Sequence, residues 1–249
     1  MTDHDRNNNG VAPLRNVAAL ATLIERLHGR DPGLPGMGVF FGPAGWGKSY
    51  AAIYATNRFQ AITVQGKSVT TRKDLCLMIL SEMGITPRRV SLSALVDQIS
   101  EQLAITDVPL IIDEVDHLMT RQKIELVRDI YEGSGGTVVL IGEEQLPQKL
   151  KQWERVHGRI RSWVPAEPGT LEDVRVLSKY YAAGITFDED FYTRLLRGSG
   201  QSIRRICANL ATAKEAALIK GVTKFGVDDW GSKSFFDGQA PAPRRGVSA

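Results

Sequence analysis

The segment Gly42-Pro43-Ala44-Gly45-Trp46-Gly47-Lys48-Ser49 decides how the rest of the chain is read. It fits G-x-x-x-x-G-K-[ST] and falls between a short apolar run, Met37 to Phe41, and a stretch of helical character that begins near Lys48. Phosphate binding asks for this arrangement. Glycines let consecutive backbone N–H groups turn inward, and the helix that follows directs the positive end of its dipole at an anion. Lys48 then neutralises charge on the β- and γ-phosphates, and Ser49 offers a hydroxyl to Mg²⁺. With Tyr50 beside it, the whole segment is the candidate nucleotide contact. The strand–loop–helix context sets it apart from a chance glycine turn.

Outward from the loop, strands and helices alternate. Ala61 to Val64, Val108 to Ile112 and Thr137 to Ile141 read as further strands, each a continuous apolar run. Helical periodicity covers Val17 to Leu27, Asp74 to Met83, Leu92 to Leu103 and Lys123 to Tyr131. Unbroken apolar strands joined through helices predict a parallel sheet covered on both faces, an α/β fold. From Leu171 onward no strand run stands out, and three helices are expected over Leu171 to Tyr181, Glu189 to Arg197 and Ile203 to Lys220. The Pro165 to Gly169 stretch is the expected boundary. The domain reading is thus a flexible tail over 1–14, an α/β nucleotide-binding core over 15–165, a helical lid over 166–237 and a Pro/Gly/Ala-rich tail over 238–249.

Leu110-Ile111-Ile112-Asp113-Glu114 is an apolar run that ends in two carboxylates, with Asp113 placed 65 residues after Lys48. A Mg²⁺-bound triphosphate needs a carboxylate near the metal, the role read for Asp113. A second carboxylate orients and polarises an attacking water, the role read for Glu114. Asp116 reads as a helix cap, and His117 is given no catalytic part.

Composition sets the outer bounds. The 249 residues are 43% hydrophobic and 24% charged, ordinary for a globular chain and unlike a wholly disordered one. Mean hydropathy is −0.16, no stretch is long and apolar enough to span a bilayer, and residues 1–10 lack the apolar core of a secretory signal. Cys76 and Cys207 show no metal-ligand spacing, which fits a reducing cytoplasm. Charge is uneven. Residues 1–144 carry 14 Lys+Arg against 17 Asp+Glu, whereas residues 145–220 carry 13 against 8. A basic C-terminal half suits a polyanion, although a solvated basic surface has the same composition.

The Gly42–Ser49 loop and the Asp113-Glu114 strand end resemble the AAA+ ATPases. More narrowly, Thr137-Val138-Val139-Leu140-Ile141-Gly142, then Glu143 to Leu150, then Glu154-Arg155-Val156-His157-Gly158-Arg159-Ile160 look like the layout of the transposition ATPases of the MuB and TnsC type. The resemblance covers about residues 15–215 and implies a P-loop AAA+ core with a helical lid, using ATP and Mg²⁺. It places Arg159 as an arginine finger acting on a neighbouring subunit's γ-phosphate, with Arg155 and Arg161 as competitors. It gives Arg204 the sensor-2 position, with Arg205 as the alternative, and puts sensor 1 near Glu143, where an acid departs from the usual small polar residue.

The implied function is an ATP-dependent, sequence-tolerant double-stranded DNA-binding ATPase. It forms a homo-oligomeric ring or filament on target DNA and delivers that DNA to a DDE transposase in a bacterial cytoplasm, encoded by a phage or transposon. For DNA, the loop Gln65 to Lys73 offers Lys67, Thr70, Arg72 and Lys73, with Arg121 and Lys123 as second choices. The same loop also reads as a solvated cap of the next helix. Trp153 and Trp163 are candidates for a subunit interface or the core. Arg244 and Arg245 are candidates for contact with DNA or the partner. Two other readings stand: a helicase loader or replication-initiation ATPase of the IstB/DnaC type, and a nucleotide-gated regulatory module that does not bind DNA.

Overall fold

The computed structural model describes residues 12–239. Residues 1–11 and 240–249, and with them Arg244, Arg245 and most of the two expected tails, lie outside them. The chain divides into two compact units, 1–167 and 168–249.

The first unit runs α1 (Arg15–His28), β1 (Met37–Phe41), α2 (Lys48–Phe59), β2 (Ile62–Gln65), α3 (Arg72–Glu82), α4 (Leu92–Thr106) and β3 (Leu110–Asp113). After a 3-10 turn over Val115–Leu118 come α5 (Arg121–Ser134), β4 (Val138–Gly142), α6 (Leu146–Leu150), α7 (Glu154–His157) and β5 (Ile160–Pro165). The five strands form one all-parallel sheet in the order β2-β3-β4-β1-β5. Every residue of β3 and β4 is buried, which explains why these strands read as continuous apolar runs rather than alternating ones. The core joins Val39, Leu110, Ile112, Val138 and Leu140 of the sheet to Leu75, Ile79, Leu95, Ile99, Val127 and Ile130 of the covering helices. Local chemistry starts the helices: Thr71 and Asp74 form a capping box on α3, and the Ser91 hydroxyl accepts from the Ala94 amide at the start of α4.

β5 was not expected from sequence. Its residues, IRSWVP, mix charge, aromatic and proline, and it pairs only with β1, as an edge strand. Trp153 and Trp163 pack, partly buried, against the core of the first unit.

The second unit runs α8 (Leu171–Tyr181), β6 (Thr186–Phe187), α9 (Glu189–Gly198), α10 (Ile203–Ile219), β7 (Lys224–Phe225) and α11 (Val227–Trp230). The three expected helices are present, joined by a two-stranded parallel pair too short to leave a strand signature. Its core joins aliphatic residues such as Val174, Leu177, Ile206 and Leu210 to a cluster of aromatic rings. Phe187 stacks on Phe191 at 4.7 Å between centroids, Trp230 stacks on Phe235 at 4.8 Å, and Phe225 meets Phe191 edge-on at 5.7 Å.

Candidate functional site

The loop between β1 and α2 begins where a buried strand ends and a helix must start within six residues. Gly45 (φ 82°) and Gly47 (φ 86°) take left-handed backbone there, a conformation that a side chain would strain. Lys48 folds back over this turn: its Nζ donates to the carbonyl oxygens of Gly42 (2.6 Å) and Pro43 (2.9 Å). Burial pushes the Lys48 ammonium below its usual range, and the carboxylates of Asp113, Asp116, Glu143 and Glu144 act in the opposite direction. The chain's Asp-Glu strand end and the residues after β4 therefore converge on one lysine.

Asp113 closes β3, buried, and its Oδ1 accepts from the Glu114 amide at 2.8 Å. Glu114 leaves the strand in left-handed backbone (φ 50°, ψ 40°) with its side chain about half exposed, 3.9 Å from His117 Nε2. A non-glycine residue held there marks a position over-determined by its surroundings. Ser49, in the first turn of α2, is exposed.

Asp116 differs from expectation. Glu114, not Asp116, caps the 3-10 turn. The Asp116 carboxylate instead reaches β4, accepting from the Glu143 amide (2.6 Å) and from Lys149 Nζ (2.7 Å). Gly142 is required for that approach, because a Cβ there would strike the Asp116 carboxylate and come within 2.7 Å of Leu146. Asp116 thus ties the end of β4 to the residues following β3, and Glu143 is the first residue past β4.

Sequence reasoning missed the support on the other side of the loop. Asn16, buried in the first turn of α1, donates through Nδ2 to the carbonyls of Trp46 (2.7 Å) and Glu167 (2.8 Å), and its Oδ1 accepts from the Glu167 amide (2.9 Å). The Tyr50 hydroxyl accepts from the Ala12 amide. Nothing in the local pattern around Asn16 distinguishes it from a surface residue of an amphipathic helix; only its partners do.

Arg159 stands at the far end of the sheet. Its carbonyl accepts from the amide of Met37, the first residue of β1, whereas the phosphate loop follows the last residue of β1. The length of β1, about 16 Å at the usual rise per residue, separates them. Arg159 therefore does not reach the loop of its own chain. It lines a cleft of about 490 Å³ with His28, Asp31, Leu34 and Glu132. Arg155 on α7 and Arg161 on β5 are exposed. In the second unit, Arg204 is exposed in the first turn of α10 and Arg205 is half-buried beside Gly200 and Gly238.

Of the basic candidates, Lys67, Arg72, Lys73 and Arg121 are exposed and Lys123 is intermediate. Thr70 corrects the expectation: it is buried, and its hydroxyl accepts from the Lys67 amide at 3.0 Å, so it shapes the turn rather than presenting itself to a phosphate. The two stretches nominated separately do meet, because Arg72 and Arg121 line one groove of about 630 Å³. Its walls also carry Asp97, Glu125 and Asp129, so it is mixed in charge.

The residues present fit a nucleotide phosphate: a glycine cradle at a helix start with a lysine over it. For Mg²⁺, Ser49 and Asp113 offer oxygen donors. Among the described residues no group of three or more His, Cys, Asp or Glu is placed to hold a metal unaided, so phosphate oxygens and water complete such a shell.

The fold is α/β, a five-stranded parallel sheet with flanking helices and a glycine-rich loop after its first strand, the form of the P-loop AAA fold. A family model described as an AAA domain matches residues 31–150, from the loop before β1 through α6. No curated protein matches the chain. Among solved structures, the chain resembles the ORC2 protein of Aeropyrum pernix in its ADPNP-ADP complexes (TM-score 0.69, 15% identity, 89% of this chain and 68% of that one). It also resembles the ORC1 protein of Aeropyrum pernix in complex with DNA (0.62, 18%, 86% and 62%). A third likeness is to the RuvB Holliday junction branch migration motor of Thermotoga maritima (0.59, 16%, 88% and 67%). Among the described residues no helix is long and apolar enough to cross a membrane.

Proposed function

We propose that the protein is an ATP-dependent, sequence-tolerant DNA-binding ATPase that assembles on duplex DNA through nucleotide held between copies. One observation carries this reading: Lys48 and four surrounding carboxylates form one end of the sheet, while Arg159 lies at the other end, out of reach of its own loop. A phosphate site and a half-exposed arginine at opposite ends of a subunit suit head-to-tail association, in which Arg159 of one copy meets the γ-phosphate held by the next.

In this mechanism the loop amides and Lys48 hold the β- and γ-phosphates. Ser49 and Asp113 hold Mg²⁺, which when bound supplies neutralisation of phosphate charge. Glu114 orients the attacking water, and Arg159 of the neighbouring protomer stabilises charge developing on the transferring group. Loss of the γ-phosphate removes the junction's anion and favours disassembly. Lys67, Arg72, Lys73 and Arg121 supply the phosphate contacts to DNA.

Within this class, delivery of the bound DNA to a DDE transposase is our reading of its task, supported by the order of the TVVLIG strand, short helices and arginine box. A replication-initiation or loader role is the second reading. The likeness to an ORC1 protein solved with DNA favours it. Both readings share one test. Random-sequence duplex retention should require ATP and fall steeply with salt, and Lys48→Ala should lose ATP binding and assembly together. A salt-insensitive signal, or assembly by the Lys48→Ala protein, would overturn the reading. Capture of a purified transposase rather than a replicative helicase then separates the two tasks.

A further inference from the structure

The Arg159 cleft contains a second residue whose geometry points to a part in the reaction. Arg159 Nε and Nη2 both donate to a single oxygen, Oε1 of Glu132, at 2.9 and 2.8 Å. This uses one edge of the guanidinium. The other edge, with Nη1, points away from that bond, and the side chain is 48% exposed. Glu132 does not stand alone. Its Oε2 lies 3.8 Å from Arg128 Nε, one helical turn earlier on α5. Arg128 is anchored in turn by Glu125 (2.9 Å) and Asp129 (2.5 Å), and its side chain is only 15% exposed. A fixed arginine thus lies at ion-pair distance from the carboxylate, without a hydrogen bond to it from Nε, and the carboxylate accepts two bonds from Arg159.

We propose that Glu132 is a positioning residue for Arg159, fixing the guanidinium so that its free edge faces a γ-phosphate on the neighbouring copy. The inference rests on the reading of Arg159 given above. A long arginine side chain samples many rotamers, and a finger must be placed before the transition state forms if it is to lower the barrier. A carboxylate on the Nε edge removes most of that freedom without occupying the edge needed for phosphate. Both Glu132 oxygens face arginines, so Glu132 itself is a charge-compensated acid toward the incoming anion. Glu132 lies on the subunit that donates the arginine, not on the one that binds the nucleotide, and the test uses this.

The test is steady-state ATP hydrolysis by the full chain with random-sequence duplex DNA. Pairs that are half exposed orient weakly, so Glu132→Gln is expected to lower kcat about three- to tenfold with KM unchanged. Glu132→Asp should recover part of the loss, and melting temperatures should match the parent. Arg159→Ala should fall further, and the double variant no further than Arg159→Ala alone. Mixing Glu132→Gln with Lys48→Ala subunits should raise the rate above the sum of the two, because Lys48→Ala subunits, unable to assemble alone, can still join through ATP held by a Glu132→Gln copy and donate an intact Glu132–Arg159 pair to it. If Arg159→Ala hydrolyses ATP normally, the finger reading falls and Glu132 with it. If Arg159→Ala is impaired and rescued by mixing while Glu132→Gln behaves as the parent, only the Glu132 inference is overturned. Loss of activity in Glu132→Gln without rescue by mixing would also overturn it, because the role would then be local to one subunit.

Discussion

At Glu114 the backbone leaves β3 in left-handed conformation, and its amide is held by the Asp113 carboxylate. The two neighbours differ in setting: Asp113 is buried, and Glu114 is half exposed with its carboxylate 3.9 Å from His117 Nε2. Glu114→Gln preserves shape and removes the base. Hydrolysis is expected to fall about a hundredfold or more, the range for loss of a general base, while ATP binding and DNA-bound assembly persist. Single-turnover hydrolysis alongside nucleotide titration checks this, and unchanged turnover would take the role from Glu114. The place of this pair was legible in sequence, because two acids end an apolar run that forms the buried strand β3. Asp116 was not, because its role depends on Lys149 and the Glu143 amide, which are distant in the chain and adjacent only through the β3–β4 pairing.

Among the elements, α3 shows how local sequence shapes the basic surface. Thr71 caps the helix, accepting from the Asp74 amide at 3.1 Å, while Asp74 Oδ2 accepts from the Thr71 amide (3.0 Å) and hydroxyl (2.7 Å). The first acid after the loop is thus engaged within the cap, and Lys67, Arg72 and Lys73 are exposed. These bonds hold the Asp74 carboxyl below its usual value of 3.8. A carboxyl lowered in the folded state stabilises above its unfolded pKa and loses that contribution as pH falls through the folded one. Thr71→Ala is therefore expected to destabilise the protein near pH 7, and the difference from the parent should narrow as pH is taken below 3.8. Urea unfolding at the two pH values measures it, and a pH-independent difference would show that Asp74 contributes nothing through Thr71. The β5 strand marks the opposite case. Ile160–Pro165 pairs with β1 although its residues carry no strand signature, because an edge position tolerates charge and proline that a central strand rejects.

For the whole molecule, each unit has its own core, aliphatic around the five-stranded sheet and mixed aliphatic and aromatic in the second unit. Phe191 is fully buried and meets Phe187, Phe225, Trp230 and Phe235. Phe191→Ala should cost about 3–5 kcal/mol, the usual range for a buried phenylalanine. Hydrogen exchange is expected to quicken in α9 and α10 while amides of β1, β3 and β4 keep their protection. Uniform loss of protection would show instead that the chain unfolds as one cooperative body.

The sequence by itself determined the α/β alternation, the parallel character of the central strands and the phosphate loop, because these follow from local apolar patterning and from residue types that few other structures require. Which carboxylates face Lys48, how Asn16 and Asp116 brace the loop and the strand ends, the burial of Thr70 and the placing of Arg159 beside Glu132 were decided by the tertiary structure alone. Each depends on which strand lies next to which in the order β2-β3-β4-β1-β5, and that order comes from the packing of the whole sheet against its helices, a property no window of neighbouring residues carries.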